Sequence, residues 1–487
     1  MTEGHRIAKN ASWLVGAMSL NKLIAFGYFW AVAKLLGPQI TGTYFFSVSV
    51  TSLFIVLSDL GITQVIILAY AGSRGNENRV LSAALKIKLA LLPLAIGASL
   101  GYGWLKGANP ETMTAISIAC LVMAADTIHL MLYGALRGRQ NLRFEAVGML
   151  VGQIMTATAS ISAAFLGLGA KGLVGGLLLG SVWNLLWAWR KTLAQNIKWE
   201  RSSWLDVRHL AHEALPFAIA GLAVKTYSYL DTLFLEAFHG LTAVGIYSVA
   251  YKMTYALQFV PMTVTAAVYP AIAASWAKHD HEQIKRTYTG ALRLMAFLGL
   301  GLAAGLSALA PRIVPLVYGA KYVDAVVPFT VLPWVLLALF MDFPLGSLLN
   351  ATKRAHLKTI AMVLTMLMNI VLNILLVPPF GALGAAWASL LSFWSLFFFG
   401  IYFTRNDAGG WRNVLWVLFR AMLVAVFAWF VWRVIGSHLP FFIAFLLGTL
   451  AATAGSLLLG VITKKDLHFI LDLRKRVVPQ EEINDET

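Results

Sequence analysis

The amino-acid sequence predicts an all-α integral membrane protein of about 14 transmembrane helices, with two six-helix lobes related by a parallel repeat and two extra C-terminal helices. Three observations carry that expectation. Hydrophobic residues make up 59% of the 487 positions and charged residues 12%, whereas a soluble domain averages roughly 25% charged residues. So few charges cannot furnish a water-facing surface, and lipid must solvate most of the chain. Apolar stretches of about 20 residues, the length that crosses a bilayer core, recur from end to end. The basic residues fall in alternate loops: 25 Lys and Arg lie in one set of connections and at the termini, against Lys106, Lys171, Arg312, Lys321 and Arg433 in the other.

The spans are placed at 12–36, 42–71, 80–104, 113–136, 144–167, 172–190, 215–238, 242–275, 288–309, 322–350, 356–378, 382–404, 413–436 and 440–462. The first is too long for the core of a cleavable signal peptide and is read as a transmembrane helix that also directs insertion. The second, eighth and tenth exceed what a bilayer needs and are expected to tilt or to project from it. The charge alternation puts both termini in the cytoplasm of a multi-pass protein of the cytoplasmic (inner) membrane, which requires an even number of spans. Outer connections are short. The longest, near residues 310–322, leaves little room for the outer-face segments that a polymerase or ligase would need. Two cytoplasmic segments, 198–212 (Trp199, Trp204, Leu205, Leu210) and 464–478 (Leu467, Phe469, Leu471, Leu473), mix apolar and basic residues and read as interfacial helices or as solvated connectors. The polar, acidic end from Pro479 to Thr487 is expected to be disordered.

Several function classes drop out. The net charge of +16 would suit nucleic acid only on a solvated basic face, and here it sits in short loops between spans. The single cysteine, Cys120, lies in an apolar run and forms no intrachain disulfide. No Walker loop, zinc motif or nucleophile elbow is present, so neither an enzyme nor a bound cofactor is expected.

An internal duplication organises the chain. Gly37, Gly42 and Tyr44 recur as Gly240, Gly245 and Tyr247 at an offset of 203, and the same offset carries Lys22 in the first span onto Lys225 in the seventh. Later, Gly172, Gly175 and Gly176 correspond in order to Gly381, Gly384 and Ala385. Six spans separate the copies, so the repeats run parallel, a known transporter design. The expected organisation is an N-lobe over 1–195 and a C-lobe over 196–410 that begins with the amphipathic connector. The last two spans follow over 411–463, and a cytoplasmic basic segment and tail over 464–487.

The stretch from Leu36 to Tyr44, the Ser58, Asp59, Leu60, Gly61 run, the Tyr229, Leu230, Asp231 run and the Gly381 to Ala386 stretch together resemble the polysaccharide-transporter family. That family includes O-antigen and exopolysaccharide flippases and belongs to the multidrug, oligosaccharidyl-lipid and polysaccharide exporter superfamily. The resemblance covers nearly the whole chain and rests on the order of motifs that are individually weak. It implies two six-helix lobes in a V around a central cavity with alternating access. It also implies an undecaprenyl-diphosphate-linked glycan as cargo, in contact with membrane lipid and with polysaccharide polymerase or export proteins as partners.

Apart from Arg190, Lys358 and Arg433 near span ends, which are counted with the loops, eight basic residues remain inside spans: Lys22, Lys34, Lys86, Lys88, Lys225, Lys252, Arg293 and Arg420. A charge at the bilayer centre costs about 2.5–3.5 kcal/mol on insertion scales and so faces protein or a wet cavity. Lys22, Lys225 and Lys252 each lie about ten residues into their helices, near mid-depth, where snorkelling is hardest. They are expected to line a cationic cavity that binds the diphosphate, with Tyr28 and Tyr229 placed to stack on sugar rings. Ion pairing is the competing reading, Lys225 with Asp231 above all. Asp59 and Asp231 are candidates for Na+ or H+ coupling. Asp126 and His129, on one helix face, are either a proton relay or a structural pair. A cation-coupled multidrug antiporter of the same superfamily would need an acidic cavity instead. A flippase for peptidoglycan lipid precursor is a close relative of the glycan-flippase reading and stays open beside it.

Overall fold

The computed structural model describes residues 3–72, 75–406 and 410–463, and among them there is no strand. The helices are α1 (Glu3–Leu36), α2 (Pro38–Asp59), α3 (Ile62–Gly72), α4 (Glu77–Leu105), α5 (Pro110–Gly138), α6 (Leu142–Phe165), α7 (Gly169–Ala194), α8 (Trp204–Tyr255), α9 (Phe259–Ala277), α10 (His281–Tyr318), α11 (Val326–Val331), α12 (Val335–Ala351), α13 (Ala355–Phe403), α14 (Gly410–His438) and α15 (Phe441–Leu458). Among the described residues, eleven helical segments are long and apolar enough to cross a membrane. Phe419, Phe427 and Phe430 on α14 and Phe442, Phe445 and Leu446 on α15 are each more than half exposed. Water would penalise that surface, whereas lipid accepts it.

Two helices fold back on themselves. α8 has 52 residues and α13 has 49, which at 1.5 Å per residue would be about 75 Å of rod, over twice a bilayer core. Each contains one glycine outside helical geometry, Gly240 (φ 77°, ψ 179°) and Gly381 (φ 55°, ψ −129°). The reversal shows in the side chains. Tyr247 donates a hydrogen bond to Asp231, 16 residues away, and Asn369 Nδ2 donates to Ser392 Oγ at 3.0 Å across 23 residues. In unbroken helices those pairs would stand about 24 and 35 Å apart. Gly37, before α2, shares Gly240's conformation (φ 83°, ψ 177°), as does Gly319 after α10 (φ 84°, ψ −179°). Only glycine adopts that backbone readily.

The duplication appears as a local two-fold contact. A Cβ built on Gly42 would lie 1.8 Å from the Leu241 carbonyl oxygen, and one on Gly245 would lie 1.9 Å from the Pro38 carbonyl oxygen. Pro38 and Leu241, like Gly42 and Gly245, are 203 positions apart, so the two contacts exchange partners, as they do across any two-fold axis. Thr242 donates a hydrogen bond to Gln39, again at that offset, which sets the axis between those two side chains.

Several boundaries differ from the sequence expectation. The second span breaks after Asp59, where Leu60 (φ 43°) and Gly61 (φ 70°) turn the chain. A Cβ on Gly61 would be 2.5 Å from the Phe217 Cβ, so this glycine lets α8 approach. The outer connection expected near 310–322 shrinks to Gly319, because α10 runs through Pro311 and Pro315 as far as Tyr318. Residues 204–212 form the opening turns of α8 rather than a separate helix, started by a reciprocal cap in which Asp206 accepts from the Ser203 backbone N–H at 2.6 Å. That bond, with a second from the Ser203 hydroxyl, holds the Asp206 carboxyl below its ordinary pKa. The second amphipathic segment, 464–478, and the tail to Thr487 lie outside the described residues.

Candidate functional site

The hairpin at Gly240 brings Lys225, on the first arm of α8, toward Lys252 on the second; between them the Tyr251 hydroxyl donates to the Ser228 carbonyl at 3.4 Å. α1 adds Lys22 and Tyr28. The result is a cavity of about 310 Å³ lined by Lys22, Tyr28, Lys225, Tyr229, Lys252 and Tyr255, among others. All three lysines and both tyrosines singled out in the sequence thus meet in one place. Among the described residues, no carboxylate lies within 4.0 Å of any of these ammonium groups. Aromatic faces stand in for counter-ions. Lys225 Nζ is 5.3 Å from the Tyr229 ring centroid, and Lys252 Nζ is 5.6 and 5.5 Å from those of Phe29 and Phe45. A ring quadrupole attracts a cation without neutralising it, so the cavity keeps its positive charge.

The acids are occupied elsewhere. Asp231 is 1% exposed and accepts from Tyr247, from Ser389 Oγ at 3.1 Å and from the Thr232 backbone N–H at 2.8 Å. The expected alternative, pairing with Lys225, does not occur. Six residues on a helix rotate a side chain by about 240°, which puts the two on different faces. Asp59 accepts from Lys88 Nζ at 2.5 Å and from Thr63 Oγ1 at 2.7 Å. Its outer side borders a second cavity of about 590 Å³ that also reaches Lys225 and Phe217. Asp126 stands 3.5 Å from His129 Nδ1, without hydrogen-bond alignment, and borders a separate space of about 50 Å³. Neither residue of that pair reaches the lysine cavity.

The sequence reading missed two lysines with definite partners. Lys88 sits fully buried on Asp59. Lys358, counted there among loop charges, donates to both oxygens of Asp342 at 2.6 Å. A carboxylate inside a membrane span demands a partner, so Asp59 and Asp342 were themselves the available signal, although one sequence could not say which lysine answers. With these acids matched, Lys22, Lys225 and Lys252 are left facing the cavity with no acid within 4.0 Å of them among the described residues.

Many membrane-crossing helices, two re-entrant glycine hinges and a polar cavity on a local two-fold axis define the fold as that of a polytopic transporter. The sequence model described as "Polysaccharide biosynthesis protein" matches residues 7–276, and the MatE model matches residues 216–375. The chain belongs to the polysaccharide biosynthesis protein family, within the superfamily of multidrug, oligosaccharidyl-lipid and polysaccharide exporters. It is 22% identical over 367 residues, 74% of this chain and 75% of the relative, to the probable low-salt glycan biosynthesis flippase Agl15 of Haloferax volcanii. Among solved structures it is similar to the lipid II flippase MurJ in an inward closed conformation, with a TM-score of 0.75 at 15% identity over 93% of this chain and 99% of that one. It is also similar to an inward-facing multidrug resistance MATE transporter, with a TM-score of 0.61 at 16% identity over 78% and 93%. At those identities the likeness is one of fold.

Proposed function

We propose that the chain is a flippase that carries undecaprenyl-diphosphate-linked oligosaccharide across the cytoplasmic membrane by alternating access. The observation that carries this is the cavity itself: three lysines from two repeats, beside aromatic rings and, among the described residues, with no carboxylate against them. A diphosphate supplies the missing negative charge, and lysine suits a charge that must be met and then released. Cavities for cationic drugs need the opposite sign, so the lysines count against an antiporter of MATE type. The flippase names borne by the Haloferax volcanii protein and by MurJ fit the reading.

In this reading there are fourteen crossings, with both termini cytoplasmic. Residues 1–195 and 196–410 form two lobes, the latter opening with the connector, and 411–463 add two further spans. The outer side is closed in this conformation. Trp30 Nε1 donates to the Val317 carbonyl at 2.6 Å, and Tyr322 donates to the Ala33 carbonyl at 3.1 Å. Both bonds join the lobes, next to the glycine contact. The head group enters from the cytoplasm, the lobes rock, and polymerase or export proteins receive the glycan outside. Coupling to Na+ or H+ falls to Asp231. It is the favoured group because, among the described residues, no basic side chain lies within 4.0 Å of it, whereas Asp59 is neutralised by Lys88 and Asp126 stands against His129.

The test is export of lipid-linked glycan by Lys22→Ala combined with Lys225→Ala at matched protein abundance. Export should stop, and full export by the double variant would remove the proposed site.

A further inference from the structure

Beside the lysine cavity lies a larger chamber of about 590 Å³, within the usual range for small-molecule sites. Its walls come from α8, α9, α12 and α13, all in the second repeat. It shares Ser228, Tyr251, Tyr255 and Gln258 with the lysine cavity, so a group bonded to an anion held by the lysines passes directly into it. The matching pocket of the first repeat, between α2, α5 and α7, holds about 50 Å³, and the other cavity of about 590 Å³, bordered by Asp59, lies between the repeats. Val48, Ser52 and Ile55 of that small pocket stand at the offset of 203 from Tyr251, Tyr255 and Gln258 of the chamber, so matching places in the two copies differ about tenfold in size.

The chemistry of the walls is mixed in a particular way. One side is aromatic: the Tyr251 and Tyr255 rings lie 4.2 Å apart, and Tyr255 and Phe393 5.8 Å. The other side carries hydrogen-bonding groups. Lys358 and Asp342 form a buried pair that still has an N–H and carboxylate lone pairs to offer. Gln258 and Asn350 line the chamber, and among the described residues neither side-chain amide has a protein partner. A polyprenyl tail here would strip water from an ion pair and two amides and return nothing. A sugar ring has apolar C–H faces for the aromatic wall and hydroxyls for the polar one.

We propose that this chamber is the glycan subsite, which holds the sugars next to the diphosphate and selects which lipid-linked glycan is carried. The inference rests on the flippase reading and assigns a second function within it: the lysines hold the anion common to all such lipids, and the chamber reads the sugar.

The experiment compares binding of naked undecaprenyl diphosphate and of the host strain's own lipid-linked oligosaccharide to the purified full-length protein in nanodiscs. The parent protein should prefer the glycosylated lipid by about tenfold or more, the worth of one or two good contacts. Tyr269→Ala with Asn350→Ala, and separately the plug Ala266→Trp, alter residues that line the chamber and not the lysine cavity. Each should erase the preference while leaving the naked lipid's affinity within twofold. Lys22→Ala with Lys225→Ala should weaken both lipids alike. A preference retained in both chamber variants, or a parallel loss of naked-lipid binding, overturns the subsite. Failure of the parent protein to bind either lipid overturns the flippase reading instead.

Discussion

The glycine contact on the two-fold axis allows a prediction with a magnitude. A Cβ on Gly42 would sit 1.8 Å from the Leu241 carbonyl oxygen, where real Cβ contacts do not fall below 3.0 Å. Gly42→Ala therefore forces α2 and the second arm of α8 apart by about 1.2 Å, and overpacking of that kind typically costs 1–3 kcal/mol. On the proposed mechanism the cost falls on the outward-closed conformation, in which the two backbones touch, and not on one in which they have parted. A bias of that size changes the ratio of conformers by about 5–150-fold. The assay is disulfide trapping of Gln39→Cys with Thr242→Cys, whose parent side chains are hydrogen-bonded, in a background lacking Cys120, the chain's one cysteine. Trapping should be efficient with Gly42 and should fall at least several-fold with Gly42→Ala; Gly245→Ala should match it, since its Cβ would meet the Pro38 oxygen at 1.9 Å. Undiminished trapping in both variants would refute the claim that these glycines seal the outer side.

Other consequences follow from the buried charges. Lys88→Met leaves the part-buried Asp59 without its cation and should destabilise the protein by about 1–3 kcal/mol, whereas Lys88→Met with Asp59→Leu should recover most of that; thermal unfolding in detergent reads both. Asp342→Asn should behave likewise through Lys358, while binding of naked undecaprenyl diphosphate, which engages other lysines, survives in the folded fraction. Asp231→Asn removes a charge held by three donors. In proteoliposomes it should abolish the response of transport to a Na+ or H+ gradient; an unchanged response would move coupling elsewhere.

How much was legible in the sequence depended on whether a feature is local or requires a partner. Span positions were readable because a bilayer imposes length and apolarity on consecutive residues. The repeat was readable because Gly37 and Gly240 occupy the same backbone conformation, which glycine alone tolerates, and so mark matching places in two copies. The meeting of Lys22, Lys225 and Lys252 was inferable from depth, since residues at mid-membrane must turn inward. Partner choice was not inferable. Lys358 read as a loop charge because it stands four residues from Arg354, yet α13 carries it inward onto Asp342. The break at Leu60 and Gly61 was hidden because the hydropathy of α2 and α3 continues across it.

One divergence between the copies bears on how cargo and coupling divide the molecule. At the offset of 203, Tyr28 corresponds to Asp231 and Tyr44 to Tyr247. Both hairpins keep the same cross-link, a hydroxyl bonded to a side chain 16 residues earlier: Tyr44 with Tyr28 at 2.7 Å, and Tyr247 with Asp231. In the first repeat that link is neutral; in the second it contains an acid, further wrapped by Ser389 and Thr232. The lysines did not diverge in this way, and Lys22 and Lys225 remain a matched pair. An anion bound on the axis needs charge from both halves, because its contacts must hold in whichever direction the lobes rock. An ion that biases the rocking need bind only one half, since a differential affinity at a single site suffices to shift the equilibrium. On the proposed mechanism, Tyr28→Asp would then give the first repeat the acid that the second carries, but without the Ser389 hydroxyl that helps hold it. That variant should bind the diphosphate more weakly, because a carboxylate would now stand in the wall of the lysine cavity, and it should gain no second coupling site.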